Sequence, residues 1–331
     1  MRASHAPPCY AIGVNRIALA LLLVAACAPP PPPPATPVAS NTSPEPLYGG
    51  AKFKTAAAAD PLAFLLADAE IVLSFDVEAI RRSFLWPVIA QYLHGDPAAG
   101  GAYDAFVAEC GFDPTESLRR VTFGMRDVMD DDGSSITVAT GISRSKLLGC
   151  MESATFLRAW KYTTANGITV ATHARAKSSF VVTFLDETTS VWSLGKQHAT
   201  PAALLAALSS GAPLRKLPAF AKVDVTAPIW GVLRATGGIA KLLSPGGPGM
   251  QIAHGSIRLD GGIAVNGRAV LDAPAQATAT EAQQSVASVA SYVDHITFTA
   301  EGNELVVDAL MTQQQILALT KTYGSMFLPS P

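Results

Sequence analysis

The side chains able to do covalent or acid–base chemistry are few and widely spaced. His94, His173, His198, His254 and His295 are far apart, and no two have the i, i+4 spacing that would set them on one helix face as a zinc pair. Each reads as a surface or loop-edge residue. Gly141-Ile142-Ser143-Arg144-Ser145 opens like a nucleophile elbow, but its last position is not glycine. Gly246-Gly247-Pro248-Gly249 lacks the Gly-Lys-Ser/Thr ending with which a phosphate loop holds its nucleotide. Asp130-Asp131-Asp132-Gly133 has the charge to attract calcium, but neither the alternate spacing nor the distal glutamate of an EF-hand loop. It reads as a solvated hairpin tip. These absences predict no catalytic residue, no cofactor and no metal, and a protein that is not an enzyme.

Cysteine chemistry is more informative. Of Cys9, Cys27, Cys110 and Cys150, the second closes an uninterrupted apolar run, Ile17 to Ala26, that follows Arg16. A positive charge before about ten apolar residues is the pattern of a secretory signal, and it is too short to span a bilayer, which takes about 20. The run ends Val24-Ala25-Ala26-Cys27: a branched aliphatic residue, two small ones, then a thiol. This resembles the lipobox of bacterial lipoproteins, although leucine is commoner than valine at its first place. The resemblance implies cleavage before Cys27, a diacylglycerol on its sulfur and acylation of the new amino terminus. The plainer alternative is an ordinary secretory signal that happens to contain a cysteine. Several acyl chains, at roughly 0.8 kcal/mol per buried methylene, make a firm anchor. Residue 28 is alanine, not aspartate. By the sorting rule of enteric bacteria, that implies the outer membrane, on its periplasmic side or at the cell surface. Met1–Gly13 is unusual for the start of a signal, and a start at Val14 leaves a compact one.

On this reading Cys9 is removed and Cys27 lipidated, so Cys110 and Cys150 remain in the folded body. Two thiols left over in an oxidising compartment usually pair. Closing a loop of about 40 residues stabilises by roughly 4 kcal/mol in the chain-entropy model. The alternative is a pair of buried free thiols acting as small apolar residues.

Next comes the framework that must carry these residues. After Cys27 run Ala28, six prolines (Pro29 to Pro34), and then Pro37, Pro44 and Pro46. Such a stretch favours polyproline II and forms no core; 30 residues of it reach about 90 Å when extended. From Asp60 onward, period-two runs alternate with helical ones. The expected strands include Ile71–Phe75, Val121–Met125, Ile136–Thr140, Lys161–Thr164, Ile168–His173, Phe180–Leu185 and Val191–Leu194, with Asn166-Gly167 as a hairpin turn. The second half adds Pro228–Leu233, Ile252–Leu259, Ile263–Leu271, Ile296–Thr299 and Leu305–Leu310. Helices are expected after Ser83, over Tyr103–Cys110, around Leu147, from Thr200 to Leu208, briefly at Ile239–Leu243, and over Thr280–Tyr292 and Thr312–Tyr323.

Both halves therefore read strand, helix, two strands, helix, strands, helix. The expectation is an α+β fold of two tandem units, each an antiparallel sheet covered by helices on one face. The divisions are a signal peptide over 1–26, a lipidated tether over 27–59, a first unit over 60–212 and a second over 213–331. This arrangement resembles large, uncharacterised lipoprotein families of myxobacteria and their relatives, loosely over residues 62–210. The likeness rests on the strand ending at Asp76, Arg81 in the following helix, Cys110-Gly111-Phe112-Asp113-Pro114, and Gly141 before the helix that ends at Cys150. It implies location and style of fold, not activity.

Charge narrows the partners. Only 15% of the 331 residues are charged, against roughly 25% in a typical soluble domain, so fixed polar contacts are scarce. Without residues 1–26, 22 bases face 26 acids, and no basic run is longer than a pair. Nucleic acid is an unsuitable partner. The reading is a membrane-anchored extracytoplasmic lipoprotein with a binding or scaffold role toward an unknown protein or apolar ligand. An enzyme with scattered residues and a carrier of apolar molecules are the alternatives.

Overall fold

The computed structural model describes residues 61–95, 99–127, 133–154, 161–165, 168–174, 179–195, 204, 206, 213–236, 239–240, 249–286 and 293–318. The expected signal segment, Cys27, the proline tether, the Asp130-Asp131-Asp132 tip, the Asn166-Gly167 turn and His198 lie outside these residues. So does most of the helix expected over Thr200–Leu208.

The first strand, β1, spans Ile71–Asp76. Its Val72 and Ser74 are buried on one face while Ile71, Leu73 and Phe75 stand half-buried on the other, as a two-residue period requires. Asp76 then stops the strand and starts α1, Val77–Arg82, because its carboxylate accepts the Ala79 N–H at 2.8 Å. The same carboxylate pairs with Arg120 at 2.9 Å. Ser83 ends α1, donating its hydroxyl to the Ile80 carbonyl at 2.6 Å. Helices α2 (Trp86–Gly95), α3 (Ala99–Cys110) and α4 (Pro114–Ser117) follow. Gly111 closes α3 at φ +68°, a left-handed position that glycine takes without strain. Asp113 caps α4, accepting from the Thr115 N–H at 2.7 Å and from the Tyr103 hydroxyl at 2.5 Å.

Strands β2 (Arg120–Arg126) and β3 (Ser134–Thr140) lead to α5, Arg144–Ser153, which Ser143 caps through the Lys146 N–H. Four strands come next: β4 (Lys161–Ala165), β5 (Ile168–Ala174), β6 (Ser179–Phe184) and β7 (Thr189–Leu194). The second half has α6 (Pro218–Lys222), β8 (Ile229–Arg234), β9 (Met250–Arg258), β10 (Gly262–Leu271), α7 (Gln276–Ser285), β11 (His295–Glu301) and β12 (Glu304–Thr312), with a helix over 313–318.

The expectation of two units with separate sheets is overturned. All twelve described strands form one antiparallel sheet in the order β11-β12-β10-β9-β8-β1-β2-β3-β7-β6-β5-β4. The halves meet at a backbone seam. Strand β1 pairs with β8 from Ile71↔Leu233 to Phe75↔Ile229, so two chain segments more than 150 residues apart share a full ladder. The physical reason is that β1 and β8 would otherwise each be the edge of a smaller sheet with unpaired N–H and C=O groups. Pairing them satisfies both edges at once. Outward from the seam the order runs β1-β2-β3-β7-β6-β5-β4 on one side and β8-β9-β10-β12-β11 on the other.

Cover on one face only is overturned as well. On the first face, Val72, Ile136, Val138, Val191, Trp230 and Val232 are buried beneath two straps. One strap is a 3-10 turn at Pro61–Phe64 with Leu65 and Leu66; the other is Leu214 together with α6 and Phe220. On the second face, near β6 and β7, Val182, Phe184 and Trp192 pack under Phe112, Leu147, Cys150 and Met151. Each large apolar side chain so buried contributes roughly 1.5–3 kcal/mol.

Cys110 and Cys150 form a disulfide with their Cα atoms 4.5 Å apart, well inside the limit of about 7 Å for such a bond. It ties the end of α3 to α5 beside the second-face core. We expect Cys110→Ala/Cys150→Ala to unfold in urea with roughly 4 kcal/mol less stability than wild type. Peptide mapping without reductant should link the two cysteines; an unlinked pair and an unchanged urea midpoint would count against the bond.

Candidate functional site

Beyond the seam, the second face of the sheet changes character. Strand register places side chains of β1, β8, β9, β10, β12 and β11 in three rows across six strands. The middle row is Leu73, Gly231, Gly255, Gly267, Val307 and Phe298. On one side lies Ile71, Leu233, Ala253, Ala269, Leu305 and Ala300. On the other lies Phe75, Ile229, Ile257, Val265, Ala309 and Ile296. Every position is apolar or glycine, and every one is half-buried: shielded by its neighbours but not sealed as Val72 or Ile136 are.

Three adjacent glycines floor this face. At Gly231 the space is taken by the Leu73 side chain, whose Cδ2 lies 2.4 Å from where a Cβ would stand. At Gly255 the neighbouring strand is too close, with the Asn266 carbonyl oxygen 2.8 Å from a Cβ. Gly267 is different, since a Cβ there meets nothing nearer than 3.9 Å. The result is a shallow apolar trough, least crowded at Gly267 and walled by Leu73 and by Val307 with Phe298.

On the opposite face of β9, β10, β12 and β11, paired polar groups stand among apolar Ile252, Val270, Val306 and Leu310. Arg268 on β10 donates to Glu301 at 2.6 Å and to Glu304 at 3.1 Å. Glu304 also pairs with Lys222 of α6, and the two cations hold its carboxyl below the usual range, Lys222 most strongly. Asp224 accepts from Thr226 and from Arg258, which lower its pKa to about 2. Asn266 donates to Asp308 at 2.6 Å. His254 sits among these groups on β9, opposite Arg268. It is buried, not at a loop edge as its isolation in the sequence implies, because the two-residue period of β9 turns it inward beside buried Ser256. Burial pushes its pKa down, and Lys222 adds to that effect.

Little here resembles catalytic machinery. Glu304, beside His254 in this cluster, is engaged by Lys222 and Arg268, so it does not orient the imidazole as a base. Among the described residues no group of three or more His, Cys, Asp or Glu is placed to hold a metal ion. Tyr103 and Asp113 are perturbed for a structural reason. Burial and the bond to Asp113 raise the Tyr103 pKa. Hydrogen bonds from Thr115 and Tyr103 outweigh burial and lower that of Asp113. Both groups are spent on the start of α4.

The sequence-predicted pair Cys110 and Cys150 is brought together. His295 lies exposed on β11, while His94 and His173 fall on α2 and β5. Sequence reasoning missed the glycine row. Its signal was present as isolated glycines inside period-two runs, which mark close backbone approach or a bare patch. Only the register shows that three of them are neighbours.

A buried neutral histidine makes a signed prediction. Its folded pKa lies below the unfolded value near 6.5, so its contribution to stability is full above about pH 6.5 and is lost as pH falls toward the folded value. Thermal melts between about pH 7.5 and 5 should show wild type losing more stability on acidification than His254→Leu. Equal slopes for the two proteins would refute the assignment. No helix among the described residues is long and apolar enough to cross a membrane. No protein-family model, curated protein or solved structure matches this chain.

Proposed function

We propose that this chain is a membrane-anchored extracytoplasmic lipoprotein, held by lipid on Cys27, whose body binds an apolar partner surface or ligand without catalysis. The address rests on Val24-Ala25-Ala26-Cys27 at the end of the apolar run, with Ala28 favouring the outer membrane. The binding role rests on the three apolar rows of the second face, unbroken by any polar side chain over six strands. Contiguous apolar surface on an exported protein marks a place where something apolar is received. On the opposite face the apolar side chains are interrupted by the paired charges of Arg268, Glu304, Lys222, Arg258 and Asp224. Carriage of an apolar molecule is the narrower form of this reading, and the bare floor at Gly267 favours it.

Two measurements test the two parts. Cys27→Ala should abolish incorporation of labelled fatty acid and release the protein from washed membranes. A wild-type chain that takes up no label and washes off freely would falsify the anchor. For the face, Gly267→Leu adds an apolar side chain to the trough at a position where its Cβ meets nothing nearer than 3.9 Å. It should weaken binding of an environment-sensitive apolar dye about tenfold while leaving the thermal midpoint close to wild type, since about 1.4 kcal/mol of lost contact is a factor of ten. Dye binding that is absent in wild type, or indifferent to the substitution, would argue against this surface.

A further inference from the structure

Strand β11 is one of the two outermost strands of the sheet, and such an edge invites a further strand to add. The invitation is strong in this case. Between Asp294 and Glu301 the strand reads His-Ile-Thr-Phe-Thr-Ala, with no Asp, Glu, Lys, Arg or Pro. Its side chains alternate between exposed His295, Thr297 and Thr299 and half-buried Ile296, Phe298 and Ala300. Uncharged β-branched and aromatic alternation without proline is what makes a segment pair with its own kind.

Helix α7 lies against this edge. It is pinned at its start, where Ala275 and Ala279 are buried and the Ala275 N–H donates to the Gly302 carbonyl at 3.0 Å. Most of the rest of its surface is exposed. Its one polar reach toward the sheet is Gln283. The Phe298 N–H donates to Gln283 Oε1 at 2.9 Å, and Gln283 Nε2 donates to the Ile296 carbonyl at 3.3 Å. These two backbone groups flank Thr297 and point away from β12. They are the donor and acceptor that an incoming strand would engage. A primary amide offers the same donor and acceptor as a peptide unit, so the side chain stands in for a stretch of added strand.

We infer that Gln283 is an edge guard: by occupying Ile296 O and Phe298 N–H it stops β11 from pairing with β11 of a second copy of this chain. A second copy is the fitting partner because two-fold antiparallel pairing about Thr297 sets the same uncharged alternating segment against itself. Both guarding hydrogen bonds are solvent-exposed, so the guard is light.

The test is sedimentation of the full-length chain over a range of concentrations, together with amide exchange at Phe298. Gln283→Ala should raise the self-association constant about tenfold or more, the value of two modest hydrogen bonds, and should strip protection from the Phe298 amide at low concentration. Gln284→Ala, one residue away and exposed, should behave as wild type. Adding Thr297→Lys to Gln283→Ala places like charges opposite each other in the two-fold pairing and should restore the wild-type state. A Gln283→Ala protein that sediments as wild type at every concentration overturns the inference. So does association that Thr297→Lys leaves intact. Should Gln283→Ala fail to fold, Gln283→Glu decides. It keeps the acceptor for Phe298 but sets a carboxylate against the Ile296 carbonyl, so it should shift association in the same direction, and unchanged sedimentation sinks the idea.

Discussion

The ladder between β1 and β8 is the constraint on which the rest of the sheet depends. Five consecutive residue pairs join two segments far apart in sequence, and β2 and β9 are seated on the outer sides of the same two strands. Either strand left unpaired would expose a row of backbone donors and acceptors in the middle of the molecule. The seam is also built from side chains. On the first face, Trp230 stands beside Ser74, whose hydroxyl is bonded to that of Thr122 at 2.9 Å, and the Phe220 ring meets Trp230 edge-on. On the second face, Leu73 lies over Gly231. A substitution that widens this seam acts on both halves of the sheet together.

With the seam fixed, the two faces divide the work. Straps cross the first face at the seam, and the core beneath them contains residues from both halves: Val72, Ile136 and Val138 from one, Trp230 and Val232 from the other. The second face is covered by helices near β6 and β7, where the Cys110–Cys150 bond ties α3 to α5. Toward β9 through β12 the balance shifts: the charged and hydroxyl-bearing side chains all take the first face, alongside Ile252, Val270, Val306 and Leu310, while the second face is apolar throughout its three rows. The period of two makes this sharp, because neighbouring residues on a strand never share a face. His254 and Ala253 are adjacent in sequence, yet one joins Arg268 and Lys222 and the other faces the trough.

Much of the secondary structure was legible in the residues. Alternation marked β1, β2, β3 and the later hairpins, Gly111 marked the end of α3, and Cys110 and Cys150 were the two cysteines expected to pair. Pattern does not reveal which edges meet. Ile71–Phe75 and Ile229–Leu233 have the same look of a buried strand, and nothing local says that they pair with one another rather than each ending its own sheet. Two tandem sheets was the reading of element order alone; one sheet follows once the cost of two internal edges is included. His254 was misplaced for a related reason, since isolation among apolar residues does not say which face of a strand a residue takes. Gln283 was invisible because its role depends on a strand edge that only the topology defines.

The glycine row carries the last step of the argument. A glycine inside a strand costs roughly 0.5–1 kcal/mol relative to alanine, because it has more freedom to lose and no side chain to pack. Three in adjacent strands are a measurable burden on stability. One is required by its surroundings, since the backbone of Asn266 and Gly267 crowds Gly255, while at Gly231 a side chain would displace that of Leu73. Gly267 has no such neighbour; a methyl group would fit there in ordinary contact with Val307 and the His254 carbonyl. By packing alone alanine is the better residue, covering apolar surface and stiffening the strand. A bare position at the centre of an apolar face costs strand stability that packing does not demand, and that cost at Gly267 is what supports the binding role proposed for this trough.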